Sequence, residues 1–215
     1  MARILEMEEI APSFKSYIIH DPVIARRHRA GQFVIVLLHE ESERIPLTIA
    51  DSDAVRGTIR LVVQEVGKTT MEMGTLGPGD NIQVVGPLGK PTHIEKFGTC
   101  VCVGGGAGIA PLLPIALALD DAGNRVVSIL GGRTQELVIL RREMEEVYPL
   151  KVPLVADVGV GSSWAGVPGV DPRLLTTTTA RSTTTRPMLA ARRSRMPRST
   201  AVLIDRSPAH GHRWR

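Results

Sequence analysis

The chain has 215 residues, 43% apolar, 22% charged and 3% aromatic, with a formal net charge of +4. That length suits one large or two small domains with a real core, and no apolar run is long enough for a membrane-spanning helix. Cys100 and Cys102 are the two cysteines; they lie too close along one strand-like run to bridge usefully and are too few for a self-contained zinc or iron–sulfur site. The N-terminal MARILEMEEIAPSF carries acids where a secretory leader carries bases, so a cytoplasmic location is expected. The charge is split along the chain: residues 1–150 hold 15 Lys/Arg against 19 Asp/Glu, and residues 151–215 hold 11 against 3. A sequence pI near 9.4 suggests a polyanion partner when taken whole. Taken in halves, it describes a mildly acidic globular part followed by a basic tail.

In chain order, Ser16–His20, Gln32–Leu38, Ile45–Ile49, Thr58–Val63 and Asn81–Val85 are β-branched or apolar runs. Turn signals separate them: His20-Asp21-Pro22, Ala30-Gly31, Asp51-Ser52-Asp53, Gly77-Pro78-Gly79-Asp80 and Gly86-Pro87. Short strands at this spacing predict a small antiparallel barrel, with a short helix over Thr70–Leu76. Near residue 97 the pattern changes. Thr99–Val103 is a continuous apolar strand running into clustered glycines, and Ile109–Asp121 reads as an apolar helix ending at Gly123-Asn124. Arg125–Leu130 follows as a strand, Gln135–Val147 as an amphipathic helix and Lys151–Val155 as a third strand. This alternation predicts a parallel sheet. From about Asp157 the text is rich in Gly, then Thr and Arg, with neither a 2.0 nor a 3.6 period, and is read as disordered. The expected architecture is therefore an N-terminal antiparallel β-barrel over 1–96, an incomplete α/β parallel-sheet domain over 97–156 and a disordered tail over 157–215.

The strongest local signal is VCVGGGAGIAPLLPI at 101–115. A strand, clustered glycines and a helix start present bare backbone N–H groups that suit a pyrophosphate, and Pro111 fits a first-turn position. The spacing is not G-x-G-x-x-G, and GPLGKP at 86–91 is not a Walker loop. The glycines equally fit a turn that serves only strand–helix packing, and both readings stand. A second signal is RIPLTIAD at 44–51, where Arg44 could clamp phosphate or be a surface arginine at a strand end. A third is QEVGKTT at 64–70, either a second phosphate cradle or a capped helix start with Thr69 or Thr70 as N-cap. Cys100 and Cys102 alternate with valines, so burial outweighs redox work. His20, His28, His39 and His93 lack metal-ligand spacing and are expected at the surface.

Taken in order, RIPLT, VGKTT, GPLGKP, GGGAGIAPL and GGRTQEL, with GQFV at 31–34 and HIEKFGT at 93–99, resemble the ferredoxin–NADP reductase superfamily over about residues 3–155. Within it the chain looks most like the small (alpha) subunit of the NADPH-dependent ferredoxin reductase/sulfide dehydrogenase type. The electron-transfer subunit of dihydroorotate dehydrogenase is a near relative, from which RIPLTIAD and VGKTT tilt the reading only modestly. The resemblance implies FAD on the barrel, NAD(P)H on the α/β domain and hydride passage between them. Pro46, Leu47 and Thr48 would line the flavin ring and ribityl chain. Val62, Val63 and Gln64 would flank the flavin phosphates and ribose, and Gly67, Lys68, Thr69 and Thr70 would cradle the pyrophosphate. The superfamily places an arginine three residues before its Ser/Thr. Here Ile45 holds that place and Arg44 lies one earlier, which bears on Arg44 as a phosphate ligand. Gly104, Gly105, Gly106, Gly108, Ile109, Ala110 and Pro111 would hold the nicotinamide dinucleotide, with Arg133 and Thr134 near its adenosine ribose. Arg133 could meet a 2′-phosphate and favour NADP. No general acid or base is implied, since the cofactors carry the chemistry.

The resemblance implies further strands and a cysteine-held [2Fe–2S] centre beyond Val155. No cysteine follows Cys102, so this sequence is expected to carry no such cluster. The abrupt composition change within an α/β domain suggests that residues from about 156 onward are an out-of-frame translation. The leading expectation is an FAD-dependent oxidoreductase subunit passing electrons between NAD(P)H and an iron–sulfur partner, either a large iron–sulfur/flavin subunit or ferredoxin. The alternatives are the dihydroorotate dehydrogenase electron-transfer subunit, or a frameshifted remnant that binds FAD without full activity. A basic-tailed nucleic-acid binder has a foothold in the tail's arginines, but Trp164 and Trp214 are its only aromatics and no stacking platform accompanies the charge. No membrane partner is expected.

Overall fold

The computed structural model describes residues 1–147, 154–156 and 200–205. The first half is a closed barrel of six antiparallel strands: β1 (Ala2–Ala11), β2 (Phe14–His20), β3 (Phe33–Leu37), β4 (Ile45–Asp53), β5 (Thr58–Gln64) and β6 (Asn81–Leu88), in spatial order β1-β2-β5-β4-β3-β6. Alternating residues fill its interior, among them Ile4, Tyr17, Ile19, Val34, Val36, Ile49, Ile59, Leu61, Val63 and Ile82, all essentially excluded from solvent. Helix α1 (Pro22–Arg27) joins β2 to β3, and α2 (Lys68–Met73) joins β5 to β6.

Two barrel elements lie outside the sequence reading. Strand β1 carries Glu6, Glu8 and Glu9 on its exposed positions and changes register between Ile4 and Glu6 and again between Glu9 and Ala11. Each bulge inserts an extra residue, so the period of two is never sustained and the acidic run does not read as a strand. Helix α1 begins where a turn is expected at His20-Asp21-Pro22. Asp21 Oδ1 accepts from the backbone N–H groups of Val23 (3.2 Å) and Ile24 (3.0 Å), and Pro22 occupies the first helical position. The same residues signal a turn or a capped helix, and burial of Ile24 and Ala25 decides for the helix.

The second half is a sheet of order β10-β7-β8-β9, with β7 (Thr99–Gly105), β8 (Arg125–Gly132) and β9 (Leu154–Ala156) mutually parallel. Helix α3 (Ile109–Asp121) follows β7 with the expected bounds. The expected helix over Gln135–Val147 is not continuous. A single 3-10 turn covers Gln135–Leu137, Leu140 adopts φ +54°, and only Arg141–Val147 forms a helix, α4. The apolar run Val138-Ile139-Leu140 is buried as an irregular bridge, which a helical repeat would have spread around three faces. Strand β10 (Thr200–Asp205) pairs antiparallel with β7, a correction to the expectation of a structureless tail at these six residues. TAVLID is a short β-branched and apolar segment of the kind that pairs with an open strand edge. The remaining tail residues, 157–199 and 206–215, lie outside the described residues, as does most of the expected strand Lys151–Val155 apart from its last two positions.

One apolar cluster joins the halves. Ala11 and Phe14 at the β1–β2 end and Ala50 on β4 pack with Ile109, Leu112 and Leu113 of α3 and with Ile139, Leu140 and Met144. The barrel and the α/β part therefore share a core rather than meeting across a polar cleft.

Tyr17 couples this packing to pH. Its ring is fully buried, its hydroxyl donates to the Met73 carbonyl at 2.8 Å, and burial with the Glu65 carboxylate nearby pushes its pKa from 10.0 up to about 12. Burial likewise raises the Cys102 thiol to about 12, with Cys100 adding to it. Both groups keep their protons in the folded chain over a range where the unfolded chain loses them, so stability falls as pH rises. The expected loss from Tyr17 alone is on the order of 2 kcal/mol between pH 10 and 12. Urea unfolding across that range should show a falling midpoint, with a shallower fall in Tyr17→Phe. An equal fall in both chains would assign the effect elsewhere.

Candidate functional site

Strands β4 and β5 lie side by side, Ile49 opposite Leu61, and both turn their outer faces to the α/β part. Ala50 is buried against α3, which packs on β4, and the 3-10 turn Gly106–Gly108 packs on β5. The seam is therefore met by Ala50 on β4, by Val62 near the end of β5 and by the glycine turn after β7, with the start of β4 and the loop after β5 following on the same two strands.

On β4, Pro46 is exposed and Leu47 and Thr48 are half-buried, with Thr48 opposite Phe33 of β3 and Leu47 opposite Val34. Arg44 precedes the strand and is exposed. The GQFV segment fixes this end of the barrel. Gln32 is buried, accepts from the Arg29 N–H at 2.9 Å through Oε1 and donates to the Gly89 carbonyl at 3.0 Å through Nε2, while its own carbonyl accepts from Ile49 N–H.

On β5 the strand's alternation separates the expected neighbours. Val62 and Gln64 point outward and are half-buried, whereas Val63 points into the barrel core. Val63 can thus offer a ligand only its backbone. Beyond Gln64 the loop closes on Thr70, whose Oγ1 accepts from the N–H groups of Val66 (3.1 Å) and Gly67 (2.9 Å) and donates to the Gly67 carbonyl (3.0 Å). Gly67, not Thr69 or Thr70, is the N-cap of α2, and the helix runs over Lys68–Met73 rather than Thr70–Leu76. Thr70 at the third helical position reaches back to the cap, half of a capping box, and Thr69 is buried. The C-terminal end of α2 is held as firmly. Lys15 Nζ donates to the Gly74 carbonyl at 2.6 Å and pairs with Glu65 at 3.0 Å, beside the Tyr17 bond to Met73.

In the glycine turn the packing reading is met at one glycine, and another keeps the room that the phosphate reading asks for. A Cβ on Gly104 would lie 2.9 Å from Leu112 Cδ2 and 3.2 Å from the Gly108 carbonyl oxygen, so this glycine permits close strand–helix packing. Gly106 has φ +51° and would place a Cβ in open space, and Gly67 would place one 3.9 Å from Thr70 Oγ1 with no closer neighbour. Around both loops there is room for a ligand to approach the backbone, as a phosphate-binding turn requires. Ile109 and Ala110 are buried and Pro111 is half-buried at the helix start. Gly105 pairs with Gly131 across β7 and β8, which puts exposed Arg133 and Thr134 at the same C-terminal sheet end as the glycine turn, the side on which open α/β sheets take their ligands.

Two residues of structural weight escaped the sequence reading. Asn124 is buried, with Oδ1 accepting from the N–H groups of Phe97 (2.6 Å) and Gly98 (3.0 Å) and Nδ2 donating to the carbonyls of Glu95 (2.9 Å) and Leu119 (2.7 Å). It fastens the segment that enters β7 to the end of α3. His28, expected at the surface, is half-buried, with Nδ1 2.8 Å from Ser52 Oγ. Burial lowers its pKa, with the Asp51 carboxylate pulling the other way. His20, His39 and His93 are exposed. Among the described residues no group of three or more His, Cys, Asp or Glu could hold a metal ion, and no helix is long and apolar enough to cross a membrane.

A six-stranded antiparallel barrel joined to a parallel α/β sheet is a flavoprotein oxidoreductase fold, and the chain belongs to the ferredoxin–NADP reductase superfamily. It is 46% identical over 168 residues to a dihydroorotate dehydrogenase B (NAD(+)) electron transfer subunit homolog of Thermotoga maritima, covering 78% of this chain and 57% of that protein. It is 30% identical over 149 residues to the dihydroorotate dehydrogenase B electron transfer subunit of Streptococcus pneumoniae R6, covering 67% and 58%. Among solved structures, an NADH-dependent reduced ferredoxin-NADP oxidoreductase matches at 44% identity with a TM-score of 0.67, over 73% of this chain and 56% of that one. Phthalate dioxygenase reductase shares the fold at 21% identity, with a TM-score of 0.61 over 74% and 51%. No family model matches. The chain spans somewhat more than half the length of these curated relatives.

Proposed function

We propose that the chain binds FAD on the outer face of β4, β5 and the start of α2, takes electrons from NAD(P)H at the glycine turn, and passes them to an iron–sulfur partner subunit. The observation that carries this reading is the packing of the glycine turn on β5 and of α3 on β4, the two strands that carry the barrel motifs, with open space before the Gly67 and Gly106 backbones. The chain's own residues bind and orient. Thr48 offers a half-buried contact for a flat ring on the outer face of β4, while Leu47, packed with Ile45 and Ile49 against the barrel core, offers only its backbone there. Thr70 holds the Val66–Gly67 loop in shape for a pyrophosphate, and the α3 contacts bury the apolar part of the seam. When bound, the flavin and nicotinamide supply the hydride chemistry.

Two assemblies would use such a half. The curated relatives carry the name of the dihydroorotate dehydrogenase B electron-transfer subunit, and they support that form better than the motif order alone supported a ferredoxin reductase. The second form keeps its own support, the 44% identity to the ferredoxin-NADP oxidoreductase structure. In either case the partner is a catalytic or iron–sulfur subunit with its own redox centre.

Anaerobic mixing of the FAD-loaded full chain with NADH or NADPH tests the reading by bleaching of the flavin band. Arg133 as a 2′-phosphate ligand predicts faster bleaching by NADPH, with that preference lost in Arg133→Gln and NADH unaffected. Flavin that neither nucleotide reduces would contradict the function. Thr70→Val, which leaves the Val66 and Gly67 N–H groups without their acceptor, should weaken FAD binding about tenfold, and Thr70→Ser should restore it. Equal affinity in all three chains, measured by equilibrium dialysis, would remove the loop from the site.

A further inference from the structure

The outer face of β5 carries Arg60, Val62 and Gln64 in succession. Val62 packs into the apolar cluster shared by the two halves, and Gln64 leads into the Gly67 loop. Arg60 is 17% exposed at its side chain. Nη1 and Nη2 both donate to Glu143 Oε1 at 3.1 Å on α4, while Nε donates to buried Ser16 Oγ at 2.8 Å on β2. Among the described ion pairs this one joins the barrel to the α/β part. The others stay within one half, including Arg141–Glu145 along α4 and Lys15–Glu65 across the barrel. It forms part of the lining of a groove of about 430 Å3 between β1 and the Val138–Glu143 segment, so the seam is not sealed by apolar packing there and the relative angle of the halves has a polar determinant.

We propose that Arg60 and Glu143 form a latch that sets the angle between the barrel and the α/β part, making both positioning residues for electron passage across the seam. The inference rests on the flavin–nicotinamide reading above. Arg60 is fixed by Ser16 before it meets Glu143, so its forked donors are aimed rather than free to follow α4. Glu143 sits three residues after Leu140, where the backbone takes a left-handed φ of +54°, so α4 joins the sheet through an irregular bridge and lacks a continuous helical support. Burial of Leu140 and Met144 holds that helix to the barrel without fixing its direction, and the tie at Glu143 supplies the directional contact. Arg60 lies two and four residues from Val62 and Gln64 on the same strand face, so a shift at the latch is transmitted directly to the expected flavin wall.

Two readouts test this on the full chain. Spin labels at Val55→Cys, 97% exposed on the barrel, and Glu136→Cys, exposed on the α/β part, report the inter-half distance while Cys100 and Cys102 stay buried and unlabelled. Glu143→Gln and Arg60→Met should each broaden that distance distribution about twofold. Each should also slow anaerobic flavin bleaching by about tenfold at saturating nucleotide, with FAD content unchanged, as expected when reacting groups are misplaced. The double variant should be no worse than either single, and the exchange Arg60→Glu with Glu143→Arg should recover most of the rate. Unchanged distance distributions, or losses that simply multiply in the double variant, would overturn the latch. A parent chain that nucleotides cannot bleach would instead overturn the proposed function, and the distance measurement still decides the latch in that case.

Discussion

Replacing Asn124 by alanine is expected to destabilise the chain by about 3 kcal/mol, because it strands buried backbone groups at both ends of one contact. The side chain serves the N–H groups of Phe97 and Gly98 and the carbonyls of Glu95 and Leu119. Alanine leaves three of them to find other partners, while the Leu119 carbonyl keeps the residue-124 backbone N–H at 3.2 Å, beside a helix end already closed by the Gly123 turn. The loss should fall on the junction, since 95–98 is the segment that delivers the chain into β7 and Arg125 N–H returns to the Gly98 carbonyl at 2.7 Å. Asn124→Asp keeps the two acceptor contacts and loses both donors, so it should lie between the parent and alanine. Urea unfolding followed by circular dichroism measures all three. A change below about 1 kcal/mol for alanine would mean that the junction is held by packing alone.

The second large effect is expected at Gly104. A valine there would drive its Cβ to within 2.9 Å of Leu112 Cδ2, 3.2 Å of the Gly108 carbonyl oxygen and 3.4 Å of Ile109 Cα. Leu112 can rotate, but the other two atoms belong to the backbone of the turn and cannot yield without moving α3 off β7. Overpacking of this kind costs about 3 kcal/mol, and it displaces the loop proposed to hold the nucleotide. Gly104→Val should retain FAD binding on the barrel while losing nucleotide-driven bleaching by at least about a hundredfold. Gly105→Ala is the matched control, since its Cβ would meet only the Gly131 carbonyl oxygen at an ordinary 3.5 Å. If the two variants behave alike, the glycines act through something other than the packing distance.

What the residue pattern could and could not disclose follows from the range of the forces involved. Helix α3 was legible to its ends because its signals are local: glycines before it, Pro111 in its first turn, Gly123 with positive φ after it. The parallel β7 and β8 were legible because strands buried on both faces are continuously apolar. Strand β1 was not, because its pairing with β2 is bulged at two places and its outward positions are glutamates that favour helix as readily as strand. The break at Leu140 was hidden for the opposite reason. Gln135–Val147 has helical periodicity, but Val138, Ile139 and Leu140 are all drawn into the shared core, which no straight helix can arrange. At the candidate site, the motifs were legible as loops, while their division of labour was not. That Gly104 packs and Gly106 stays open, that Val63 faces inward and Val62 outward, and that Thr70 rather than its neighbour closes the cap depend on tertiary distances. Arg60 and Glu143, 83 positions apart, are joined only by the fold.

The proposed function stands or falls with FAD on the barrel. Its most direct measurement is the absorption spectrum and released-flavin content of the purified full chain after incubation with FAD and gel filtration. One FAD per chain is expected, with a band at about 450 nm that is lost on treatment with NAD(P)H under anaerobic conditions. A folded, colourless chain that retains no flavin would contradict it.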